Sequence, residues 1–205
     1  MDVFDIDQVA DLVFQPRSKD EISIALKILS ETDYQIIPRG GGMSYTGGYT
    51  PSTKRSVIVD TSLLNQILEI NPEDMYITVE AGCTWKSIYQ ALKPMGMRLP
   101  FFGTNSGSMA TVGGGLSNGA LFFGTGKYGS AADNVLGMEV IIADGTLIKT
   151  GQNAFANSKP HHRTYGPDMT GLFCHDAGSL GIKVQATFPL IYWPKSIDYL
   201  SFAYK

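Results

Sequence analysis

Two glycine-rich runs hold the residues whose types and spacing could do chemistry. The first is Pro38-Arg39-Gly40-Gly41-Gly42-Met43-Ser44, followed by Thr46-Gly47-Gly48. Successive glycines can turn several backbone N–H groups into one concave nest, with no Cβ to keep an anion away. A charge-assisted hydrogen bond is worth about 1.5–3 kcal/mol. Four or five of them supply much of a micromolar affinity, about 8 kcal/mol. Arg39 adds a positive charge, and Ser44 and Thr46 add hydroxyls. The second run spans residues 103–119 and includes Asn105, Ser106, Thr111, Gly113, Gly114 and Asn118. It too is small, polar and rich in donors. Two such runs far apart in sequence predict one extended ligand with phosphates in its middle.

Other chemistries are poorly served. Gly124-Thr125-Gly126-Lys127-Tyr128-Gly129 has dinucleotide-fingerprint spacing, but that fingerprint needs a strand before it and a helix after it. It is no P-loop either, because Leu121 stands at the first glycine and Tyr128 where a magnesium-binding hydroxyl belongs. His161 and His162 are adjacent and lack partners at ligand spacing, so no metal is expected. Cys83 and Cys174 read as small core residues.

The elements that position these loops follow from periodicity. Ser18 with Glu21 reads as a capping box, and Ile22, Ala25, Leu26 and Leu29 form one helical stripe behind it. Residues 34–38 form a short strand that runs into the first glycine run, and 56–60 form another. Residues 67–70 and 75–80 flank a turn and predict a hairpin, with Ile77 and Val79 inward and Tyr76, Thr78 and Glu80 outward. Thr84 caps a helix that Pro94 and Gly96 end. A strand over 134–142 turns at Asp144-Gly145 into another. Asp168 caps a short helix, and residues 182–190 alternate as a half-buried strand, with Lys183 outward. The reading is an α+β fold of two lobes, 1–97 and 98–195. Residues 196–205 read as the start of a further C-terminal domain that this chain lacks.

Composition narrows the function classes. With 43% hydrophobic and 17% charged residues the chain can build a core. Its net charge of −3 excludes a concentrated nucleic-acid footprint. It has no apolar run of spanning length and no basic, apolar leader. Two cysteines make no disulfide framework, so a cytoplasmic location is expected.

Taken together, the loops resemble those of the vanillyl-alcohol oxidase / p-cresol methylhydroxylase flavoprotein superfamily. Residues 38–48 are similar to its first FAD-diphosphate loop, and Met109-Ala110-Thr111-Val112-Gly113-Gly114 to its second. The stretch Tyr128 to Gly145, the most specific of the four, and Tyr165 to Ile182 match two further motifs in order. The resemblance implies two α+β lobes with FAD between them. It implies that Pro38, Arg39, Gly40, Gly41, Gly42, Met43 and Ser44 bind the diphosphate and ribityl oxygens. Asn105, Ser106, Thr111, Gly113, Gly114 and Asn118 would line the phosphate and flavin sides. Gly178, Gly181 and Ile182 would close over the adenosine and ribityl parts.

Relatives with covalent flavin carry His and Cys where Met43 and Met109 stand, so the resemblance implies non-covalent FAD. Many hydroxy-acid dehydrogenase relatives carry Glu where Ala177 stands. The implied function is the FAD-binding domain of an FAD-linked oxidoreductase that oxidises a hydroxy acid or alcohol by hydride transfer to flavin N5. Its substrate-binding cap and electron acceptor would come from elsewhere, and no catalytic acid or base is assigned to this chain. The alternatives are a stand-alone flavin-binding subunit, or a synthase or reductase relative without net substrate oxidation.

Overall fold

A computed structural model of the protein describes residues 8–101, 106–164, 166–198 and 200–204. In chain order the elements are β1 (Leu12–Phe14), α1 (Lys19–Leu29), β2 (Gln35–Arg39), β3 (Ser56–Asp60), β4 (Ile67–Asn71), β5 (Tyr76–Glu80), α2 (Trp85–Leu92) and β6 (Met97–Arg98). There follow α3 (Val112–Ser117), α4 (Thr125–Tyr128), α5 (Ala131–Asn134), β7 (Gly137–Ile141), β8 (Leu147–Lys149), α6 (Met169–Leu172), β9 (Ile182–Pro189) and β10 (Ile191–Tyr192). The fold is α+β.

A parallel three-stranded sheet has the order β1-β3-β2, and an antiparallel five-stranded sheet the order β4-β5-β9-β7-β8. Helix α1 sits between them. Ser18 Oγ accepts the N–H of Glu21, but the Glu21 carboxylate reaches the N–H of Arg17, so half of the expected capping box forms. The helix buries Ile22 and Leu26 against Val57 and Val59 of β3 and against Ile141, Ile182 and Val184 of the larger sheet. Each such side chain contributes about 1.5–3 kcal/mol when buried. The other face of the larger sheet packs on α2 and α3 through Ile77, Val79, Ile88, Leu92, Leu116 and Phe188.

The sheets divide the chain differently from the lobes expected at 1–97 and 98–195. Residues 76–80 pair directly with β9, and 67–71 pair with 76–80, so one sheet spans the boundary expected at 97. Tyr76 and Thr78 were expected to face outward, yet both are buried. The Tyr76 hydroxyl donates to Glu69 at 2.6 Å and its ring meets His161 edge-on. Thr78 shares a hydrogen bond with Thr187. Residues 134–136 are not strand. Ser130 and Asp133 form a reciprocal capping box that winds one helical turn there. Residues 196–198 and 200–204 form no strand. No strand leads into Gly124 and a single turn follows it, so the fingerprint spacing lacks its context. Among the described residues no helix is long and apolar enough to cross a membrane.

Candidate functional site

Loop 1 leaves the C-terminal end of β2. A Cβ on Gly40 would strike Thr111 Oγ1, and one on Gly41 would strike the Met109 carbonyl oxygen. Only side-chain-free backbone therefore lets loop 1 lie on the second run. Gly42 is left-handed, with φ 64°. The N–H groups of Gly41, Gly42 and Met43 donate to no acceptor among the described residues. Backbone donors left without a protein acceptor can serve an anion. Arg39 differs from expectation in one respect: its guanidinium lies 3.5 Å from the buried Asp60 carboxylate. Asp60 also accepts the N–H of Ser62 at 3.0 Å and the Gln15 amide at 3.2 Å. The charge of Arg39 is thus largely answered from behind.

The second run docks on the start of α2. Val112 donates its N–H to the Cys83 carbonyl at 2.9 Å and Gly113 to Ala81 at 2.8 Å. Gly114 donates to Thr111 Oγ1, which caps α3. The backbone donors of Gly113 and Gly114 are already spent, and these glycines serve close approach instead. A Cβ on Gly113 would come within 3.1 Å of Ala81, and one on Gly115 within 2.7 Å of the Trp85 ring. Asn118 is the polar residue by which this run meets loop 1. Its Nδ2 donates to the Gly114 carbonyl, while its Oδ1 accepts from Ser44 Oγ at 3.1 Å and ties the two loops together.

A third wall comes from residues 175–183. Gly178 lies against the Pro38 ring, and the Ile182 side chain points into the α1 core, leaving its backbone at the cleft. Lys183, expected to face outward, is buried and lines the cleft, with its ammonium 2.7 Å from Asp176. The reversal follows from an irregularity in the β7–β9 pairing between Glu139 and Val140, on a sheet that is covered on both faces.

These walls enclose a cleft of about 540 Å³, within the range of ligand pockets. It gathers Pro38, Arg39, Gly40, Gly41, Gly42, Met43, Ser44, Ser106, Thr111, Gly113, Gly114, Asn118, Gly178, Gly181 and Ile182. Asn105 lies outside the described residues. Sequence reasoning missed Tyr49, Thr61, Trp85, Leu121 and Lys183, which also line it. Trp85 was read as core, and it does pack on Phe101, Phe122 and Phe188, but it also forms cleft wall. Arg39 and Lys183 line the cleft, with no His, Asp or Glu among the described lining residues. Nor is any group of three His, Cys, Asp or Glu among the described residues placed to hold a metal ion.

Comparison with known proteins gives a consistent picture. Residues 10–151 match the model of a family described as FAD binding domain. The chain is 35% identical over 188 residues to the glycolate oxidase subunit GlcD of Bacillus subtilis, covering 91% of this chain and 38% of that protein. It is 31% identical over 182 residues to the mitochondrial D-lactate dehydrogenase [cytochrome] of Kluyveromyces lactis, covering 88% and 30%. It is 29% identical over 171 residues to the mitochondrial D-2-hydroxyglutarate dehydrogenase of Bos taurus, covering 83% and 30%. The fold superposes on an alkyldihydroxyacetonephosphate synthase with a TM-score of 0.76 at 20% identity, covering 90% of this chain and 34% of that one. The chain spans about a third of the length of the curated relatives it matches.

Proposed function

The chain belongs to the FAD binding domain family and its cofactor is FAD, and on that premise we propose that the cleft seats FAD within an oxidoreductase that oxidises a hydroxy acid or alcohol. One observation carries the reading: residues 41–43, whose N–H groups donate to no acceptor among the described residues, line the same cleft as the second glycine run and the 178–183 wall. Residues 41–43 hold the diphosphate. Ser44 and Asn118, already hydrogen-bonded to each other, turn their remaining hydrogen-bonding capacity toward ribityl or phosphate oxygens. Gly178, Gly181 and the Ile182 backbone border the adenosine side.

When bound, FAD supplies hydride acceptance, and the protein supplies position and electrostatics. Met43 and Met109 carry thioethers, which form no bond to a flavin under these conditions, so the cofactor is held non-covalently. The named relatives act on glycolate, D-lactate and D-2-hydroxyglutarate, which supports the hydroxy-acid class. The cleft lining offers no carboxylate or imidazole among the described residues. The chain spans about a third of those relatives' length, and we place the group that takes the substrate's hydroxyl proton on a substrate domain or partner subunit. Two buried free cysteines support a reducing compartment such as the cytoplasm.

Purified protein is expected to be yellow, or to turn yellow on adding FAD, and acid precipitation should release all the flavin into the supernatant. Colourless protein that takes up no added FAD overturns the cofactor reading. Flavin that stays with the acid pellet overturns the non-covalent one.

A further inference from the structure

Behind the third wall lies an ion pair that contacts with a cofactor do not by themselves require. Lys183 and Asp176 are bonded at 2.7 Å, and each side chain is 2% exposed. Pairs so buried cost desolvation that their attraction barely offsets, so stability alone is a weak reason for one. Burial pulls the Lys183 ammonium below the usual lysine value, and the hydrogen bond it donates to Asp176 opposes that pull.

Asp176 also accepts the N–H of Gly178 at 3.0 Å. The turn it organises is strained, because His175 and Ala177 are both left-handed, at φ 57° and 51°. Non-glycine residues persist in that conformation only where their surroundings over-determine it. The same turn touches both other walls. His175 and Ala177 donate backbone N–H groups to the Leu116 and Ser117 carbonyls at the end of α3, at 3.0 and 2.9 Å. Gly178 rests on Pro38 at the start of loop 1.

We infer that Asp176 and Lys183 are a positioning pair that sets cofactor affinity by locking the 175–181 turn between loop 1 and α3. This rests on the reading of the cleft as the FAD site. FAD affinity would be measured by flavin-fluorescence titration in wild type, D176N, K183M and K183R, with amide hydrogen exchange of residues 175–183 followed in parallel. Glu139→Gln is the comparison, since Glu139 is also buried and ion-paired but does not line the cleft.

D176N and K183M should each weaken FAD binding about tenfold or more, equivalent to ~1.4 kcal/mol, and speed exchange at Ala177 to Ser179. K183R, which keeps the cation, should recover most of the affinity. E139Q should lower the melting temperature and leave FAD affinity unchanged. Because K183M strands a buried carboxylate, the double variant D176N/K183M is measured beside it. Folded D176N or double variant with wild-type affinity overturns the inference. So does an equal loss in E139Q, or the failure of every pair variant to fold, which would assign the pair to general stability. Wild-type protein that binds no FAD overturns instead the reading of the cleft itself.

Discussion

Replacing Gly41 by Ala tests the contact on which the cleft depends. The added Cβ would land on the Met109 carbonyl oxygen, with the Met109 carbonyl carbon only 2.7 Å away. Both atoms are backbone, so no side chain can swing clear. The two loops must part by more than an ångström, and the row of N–H groups at 41–43 loses its aim. Hydrogen bonds weaken steeply with such misalignment. Losing two charge-assisted bonds at about 1.5–3 kcal/mol each removes roughly 3–6 kcal/mol, a factor of about 10² to 10⁴ in Kd. The assay is FAD titration by fluorescence, with circular dichroism to verify the fold. The comparison is Gly126→Ala, because a Cβ at Gly126 meets nothing within 4 Å and the site is helical. Gly151 is unsuitable despite its loop sequence, since its φ is 67° and its Cβ would meet the Leu136 carbonyl. G126A should bind FAD like wild type. If G41A binds equally well, or if both lose affinity alike, loop 1 is only a turn and the reasoning fails.

Two further outcomes test the frame around the cleft. Burial would raise the Glu139 carboxyl, but hydrogen bonds from Lys19 and Lys149 outweigh it and hold the group below its ordinary value. A depressed carboxyl contributes stability that is whole above the unfolded value near ~4.3 and is lost as pH falls through the folded value. Glu139→Gln should therefore flatten the acid-side fall in melting temperature, and an unchanged acid slope refutes the assignment. Burial, aided by the charge of Glu80, pushes the Cys83 thiol up to about 12, and burial also raises Cys174. Native protein at pH 8 should resist iodoacetamide at both thiols and label fully once unfolded. Rapid native labelling at either thiol shows that it is not packed as described.

The elements built from local signals were legible in the sequence. The Ser18 cap and the Ile22–Leu26 stripe mark α1, residues 56–60 are β3 to the residue, and residues 67–80 form the expected hairpin. The candidate residues within the described part of the chain also share one cleft, because glycine runs mark where backbones approach each other. What failed depended on a second layer that sequence periodicity does not see. Alternation in β9 put Lys183 and Thr187 outside, but the sheet is covered on both faces and both are buried. Gly113 and Gly114 line the cleft as expected of them, but sequence alone does not show that Ala81 and Thr111 hold their N–H groups. The Ser130–Asp133 capping box was present in the sequence, yet the apolar run after it favoured strand. Nor does periodicity show that β9, more than 80 residues beyond the boundary expected at 97, pairs with β5 in one sheet.

The electrostatics of the cleft follow from how its cations are held. Arg39 is paired with Asp60 and Lys183 with Asp176, each aspartate side chain less than a tenth exposed. A cation paired in this way projects little net charge, so the cleft is not a general trap for polyanions, in keeping with a chain whose net charge is −3. On the proposed reading, its grip on an anion rests on the N–H groups at 41–43, which act only at hydrogen-bonding range. Direction demands geometry, and that geometry rests on contacts that tolerate no Cβ at Gly40 or Gly41 and on a turn fixed by a buried ion pair.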